Sequence, residues 1–93
     1  MHSYIYDEKK ALKLKAERGV CFEDVIAAIE NKSLLGVIPN KNQTTYPGQH
    51  ILIVQIGEYV YQVPCKQDKN LLILKTVFPS RKFTKLFLLK KKP

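Results

Sequence analysis

Arg81 and Lys82 follow Pro79 and Ser80, where an extended run stops and a helical pattern begins. Two adjacent cations beside the free amides of a helix start form a place where a phosphate group can be held. Tyr59 and Tyr61 stand two residues apart in a strand-like run, so both rings leave the same face. Such a pair either stacks on bases, as on single-strand platforms, or packs half-buried against neighbouring side chains. Groups that move protons are sparser. His2 and His50 have no neighbouring carboxylate or cysteine in the sequence to tune them. Glu23 is a possible base, but it sits in the first turn of a helix, where the dipole alone accounts for an acid.

The charge around these residues is uneven. The 93-residue chain carries a net charge of +8, and no acidic residue follows Asp68. Lys69, Lys75, Arg81, Lys82, Lys85 and Lys90 to Lys92 therefore stand unopposed, whereas Lys9, Lys10, Lys13, Lys15 and Arg18 are mixed with carboxylates. A field of this sign suits a polyanion, whose counterions are released as phosphates are neutralised, and suits an acidic protein equally well. Cys21 and Cys65 are far apart and without a nearby histidine; they read as reduced structural thiols, not a disulfide framework or a zinc motif. No glycine-rich phosphate loop, Gly-x-Ser-x-Gly turn or metal-spaced carboxylate cluster is present, so no cofactor is implied.

The elements that must position these groups follow from periodicity. Residues 1–93 have the length of a single domain with one modest core. A composition 45% hydrophobic and 26% charged is that of a folded protein. The first residues lack the features of a secretory signal, and the apolar runs are far below the roughly 20 residues that cross a bilayer. A cytoplasmic protein without a membrane segment is expected. Residues 4–6 read as a short strand, and Asp7 as the cap of a helix that Gly19 ends in a left-handed conformation. On that helix Ala11, Leu12, Leu14 and Ala16 form a broad apolar arc. A second helix over residues 22–30 places Phe22, Val25, Ile26 and Ile29 on one stripe.

From residue 34 the period becomes that of strands: 34–38, 51–56, 59–63 and 71–77. Gly57-Glu58 makes a tight turn, residues 67–70 a longer polar one, and 39–49 an irregular loop. Ser80 caps a short final helix with Phe83, Leu86 and Phe87 as its apolar stripe. Leu88 and Leu89 fall outside that stripe, where they either dock on a second protein or cover the core. The predicted fold class is α+β: two N-terminal helices, an antiparallel three- to four-stranded sheet, and a short C-terminal helix.

The run Tyr6-Asp7-Glu8-Lys9-Lys10-Ala11, continued by Arg18-Gly19-Val20-Cys21-Phe22-Glu23, resembles the opening of the BrnT-type toxins of bacterial toxin–antitoxin modules. That opening is an aromatic-Asp entry, a lysine-bearing helix and a Gly-Val-x-Phe-Glu junction. Near the other end, Pro79-Ser80-Arg81-Lys82-Phe83-Thr84-Lys85 is similar to the family's passage from strand to basic helix. The chain departs from the pattern at Arg18, where many members have His, at Leu14 for Asn, at Cys21 for Ser, and at Thr76 for a strand Arg.

The resemblance implies a RelE-like fold and a metal-independent ribonuclease that inhibits translation. Its partners would be RNA, including ribosome-associated mRNA, and a cognate antitoxin held in a hetero-oligomer. Attack of a 2′-hydroxyl on the adjacent phosphate needs cations for the developing charge and a group that moves protons. Arg81, Lys82 and Arg18 are the candidates for the first role. Lys10, Lys85, Tyr59 and Tyr61 are the candidates for holding RNA. Two other readings remain: a non-catalytic basic module binding nucleic acid or an acidic protein, and a structural protein whose charge serves solubility.

Overall fold

The computed structural model describes residues 3–45 and 47–88; His2, Leu89 and Lys90 to Lys92, all considered above, lie outside them. Strand β1 (Ser3–Ile5) leads to helices α1 (Glu8–Arg18) and α2 (Phe22–Glu30). Strands β2 (Leu34–Pro39), β3 (Gln49–Ile56), β4 (Tyr59–Asp68), β5 (Leu71–Leu74) and β6 (Phe78–Pro79) follow, and helix α3 (Arg81–Phe87) closes the described chain.

The helix ends obey the local chemistry. Asp7 accepts the amides of Lys9 and Lys10 at the start of α1, and Gly19 closes that helix at φ 68°, a conformation that costs glycine little. At α2 the Cys21 amide donates to the Asp24 carboxylate at 2.9 Å, and the Cys21 thiol donates to the same oxygen at 3.3 Å. The broad apolar arc of α1 is used only in part: Leu14 is buried, but Leu12 is 72% exposed.

The sheet corrects the expected architecture. It has six strands, ordered β1-β5-β4-β3-β2, with β6 on β4, where three to four antiparallel strands were predicted. It is also mixed, because β1 pairs with β5 in parallel. The short strand expected at residues 4–6 is present at residues 3–5, and what its sequence did not carry is its parallel partner β5. The 71–77 run, by contrast, is not one strand.

The break in that run has a cause on the facing strand. The Lys75 amide donates to the Pro64 carbonyl at 2.9 Å, so this edge of Pro64 faces the 71–79 segment. The nitrogen of Pro64 faces the same way and has no hydrogen to donate. β5 pairs Leu74 with Cys65, and β6 pairs Phe78 with Gln62. Val63 and Pro64 thus stand opposite Lys75, Thr76 and Val77, a bulge of one extra residue. The bulge inverts the alternation. Strict period 2 puts Thr76 on the face of Leu72 and Leu74, yet it is Val77 that joins them in the core, fully buried.

That core lies on one face of the sheet. Leu52, Val54, Val63, Cys65, Leu72, Leu74 and Val77 meet Leu14, Phe22, Val25 and Ala28 from the two N-terminal helices and Val20 from the turn between them. Tyr6 stacks on Phe22 at 4.9 Å. The alternate residues Ile51, Ile53, Val60 and Gln62 belong to the opposite face, where α3 packs against β4.

A buried polar lock holds α3 there. The Ser80 amide donates to the Val60 carbonyl at 2.9 Å. The Val60 amide donates to Thr84 Oγ1 at 3.0 Å, and that hydroxyl donates to the Ser80 carbonyl at 2.6 Å. Ser80 Oγ accepts the Phe83 amide at 3.1 Å. Thr84→Val would orphan the buried Val60 amide and is expected to lower stability by about 1–3 kcal/mol. Thr84→Ser would retain most of it, as read by urea unfolding of the two variants beside the parent.

Candidate nucleic-acid interface

The predicted site residues divide between the two faces of the sheet. Lys82 lies on the α3 face, in a groove of about 550 Å³ lined by Ile38, Pro39, Asn40, Lys41, Ile51, Gln62, Lys82 and Phe83. Its ammonium sits 5.9 Å from the Phe83 ring centre, within reach of a cation–π attraction. Arg81 and Lys85 are exposed on the same helix. α3 has seven residues and Ser80 already caps the Phe83 amide, so a phosphate here would be held by the side-chain cations and not by the helix terminus.

Tyr59 and Tyr61 do share a face, with rings 5.8 Å apart and edge-on at 68°. It is the helix-covered face: Tyr61 pairs with Val54 and packs on the core. The tyrosines are therefore on the opposite side of the sheet from Lys82, and the structure does not bring these two sets together. Half-buried and packed edge-on, the pair fits the packing reading of the two.

Arg18 performs a local task. From the last turn of α1 its guanidinium donates to the Val77 carbonyl, tying the helix to the bulged segment. A cation at that position also meets the negative end of the helix dipole. Lys10 lines a separate shallow concavity with Ile5, Tyr6, Asp7, Ile73, Leu74 and Lys75. Lys10 and Lys75 are thus brought to one depression between α1 and the β1–β5 edge, away from the α3 groove.

The residues that sequence reasoning missed are Lys41, Asn40 and Gln62. Lys41 and Asn40 fall in the run predicted as irregular. That run is in fact organised by Gln43, which donates to the carbonyls of Asn40 and Gln49 at 2.6 and 3.2 Å and accepts the Gly48 amide at 3.0 Å. The one available signal was the alternation of β4, which sets Gln62 opposite Tyr61 and hence on the other face.

A second cavity, of about 240 Å³, opens on the helix-covered face. It is lined by Tyr4, Ile29, Leu34, Val37, His50, Leu52, Cys65, Gln67 and Leu72. His50 is here, far from the groove cations. Burial pushes the Cys65 thiol up from 9.0 to about 11, and Tyr4 is raised as well, by burial and by the charge of Glu30. Among the described residues no group of His, Cys, Asp and Glu could hold a metal ion. No described helix is long and apolar enough to cross a membrane.

Comparison with known proteins adds no relative: no family model, curated protein or solved structure matches the chain.

Two outcomes follow from this geometry. Arg18→Ala is expected to lower unfolding stability by about 1 kcal/mol, the net value of an ordinary hydrogen bond, since Arg18 is itself exposed, while Arg81→Ala leaves the denaturation midpoint unchanged. Cys65 keeps its proton in the folded state where the unfolded thiol has lost it. Its contribution is complete below pH 9.0 and is lost as pH rises toward about 11, because the unfolded chain then binds fewer protons. Urea midpoints across that range should fall less in Cys65→Val than in the parent.

Proposed function

We propose that the chain is the toxin of a toxin–antitoxin module, working in the cytoplasm on RNA and neutralised by a cognate protein partner. The observation that carries this reading is the α3 groove. Lys41 and Lys82 face one concavity with Asn40, Gln62 and the Phe83 ring, and none of its lining residues is acidic. Lysines meet phosphates, the amides can read a base edge, and an aromatic ring with a cation beside it suits an unstacked base. The flanking Arg81 and Lys85 extend the cationic surface along α3. The passage from strand to basic helix that resembles BrnT toxins forms one wall of this groove.

The test is induced expression in bacteria of the parent beside Arg81→Ala/Lys82→Ala at matched protein levels. Growth arrest with decay of mRNA is expected in the parent, and its loss in the double variant. Normal growth with the folded parent protein present would refute the toxin reading.

One observation favours a second reading, in which RNA is held but not cut. Among the described residues the groove lining contains no His, Asp or Glu, so proton transfer has no conventional carrier there at the cations. Under this reading RNA is retained at low salt and released steeply as salt rises, with a logarithmic slope of about −0.7 per phosphate contacted, and it is recovered intact.

A further inference from the structure

The outer edge of β2 is the least protected part of the sheet. β2 ends the strand order, so among the described residues one side of its backbone has no partner strand. The Asn40 amide donates to the Gln49 carbonyl at 3.0 Å, and the register pairs Ile38 with Ile51 and Gly36 with Ile53. By alternation of the antiparallel ladder, Asn40, Ile38 and Gly36 turn their backbone groups toward β3. Val37 and Pro39 then turn theirs outward. The register shifts by one residue between Leu34 and Gly36; beyond the shift the Ser33 carbonyl accepts the Gln55 amide, so Leu34 turns outward in its place. Pro39 offers only a carbonyl there, leaving the peptide groups of Leu34 and Val37 as a short template.

Pro39 and the register shift between Leu34 and Gly36 shorten this edge, but the other usual defence, charge, is missing along it. No charged residue occurs from Ser33 to Asn40, and Leu34, Val37 and Ile38 are 37%, 51% and 37% exposed, whereas edge strands are ordinarily blunted by charge. Each face of the edge opens onto a cavity. Leu34 and Val37 wall the apolar cavity of about 240 Å³, and Ile38 and Pro39 wall the groove that holds Lys41 and Lys82.

We infer that this edge accepts an extended segment of an acidic protein as an added strand, with apolar side chains entering the cavity under α2 and carboxylates alternating toward Lys41 and Lys82. Strand addition takes its affinity from main-chain hydrogen bonds and its specificity from pockets for alternate side chains, and here the two pockets differ in chemistry. Charge selects the occupant. No carboxylate occurs between Glu30 and Glu58, while Lys32 and Lys41 lie just beyond the two ends of β2. Antiparallel pairing of β2 with a second copy would bring those lysines together, on two molecules of charge +8 each. An acidic strand meets opposite charge at the same places. Docking does not rest on the RNA reading; only its further consequence, that the partner covers the groove cations, does.

The test uses a fluorescent peptide of alternating valine and glutamate, without nucleic acid, beside its valine–lysine counterpart. The valine–glutamate peptide is expected to bind, to protect the amides of Leu34 and Val37 from hydrogen exchange, and to weaken at least about tenfold, or 1.4 kcal/mol, in Lys41→Glu/Lys82→Glu. Methylating the peptide's alternate backbone nitrogens leaves the protein untouched and should abolish binding in one of the two phases. Equal binding of the valine–lysine peptide, indifference to methylation in both phases, or absent protection at Leu34 and Val37 would overturn the inference. So would protection of those amides in the free chain together with a dimeric sedimentation mass, which would give the edge to a second copy.

Discussion

Pro64 lies in the middle of β4 and cannot donate a hydrogen bond on the edge that faces the 71–79 segment. A strand that must be paired along this edge therefore cannot be matched by one continuous neighbour. The segment pairs as β5 with residues 65–68, bulges, and pairs again as β6 with residues 61–62. The bulge delivers Val77 to the core and leaves its carbonyl for Arg18. It also brings Ser80 opposite Val60, which is where the buried lock with Thr84 begins. The placement of α3, and with it the groove beside Lys82, depends on that missing hydrogen.

Burial then separates the chemistry by face. One face of the sheet is closed by the two N-terminal helices and collects the apolar residues, together with Tyr61 and Cys65. Among the described residues the other is covered by α3, with Ile53 and Val60 buried on it, while Arg81, Lys82 and Lys85 of that helix stay in contact with water. A lysine retains its charge at little cost in that setting, whereas the closed face would penalise it heavily. The exposed cations of α3 are the basis of the proposed interaction with phosphates.

The candidate site was legible only where it lay on one element. Ser80 as cap, with Arg81 and Lys82 behind it, could be read because capping is decided within one helical turn. The same locality made Asp7, Gly19 and the α2 stripe readable. Tyr59 and Tyr61 were correctly placed on a common face, since alternation is local, but which layer covers that face is not a property of β4 alone. Arg18 was grouped with the anion-binding cations by its charge, and its bond to a carbonyl 59 residues away had no trace in the pattern around it.

Local sequence determined the helices, their caps, the main strand runs and the concentration of positive charge toward the end of the chain, because each rests on interactions within a few residues. Tertiary structure alone decided the six-stranded mixed sheet. The parallel pairing of β1 needs β5, the split of the 71–79 segment needs Pro64 across the ladder, and the meeting of Lys41 with Lys82 needs β2 and α3 on the same face. Those choices join residues far apart in the chain, and their energies come from backbone hydrogen bonds and burial that exist only once the partners have met.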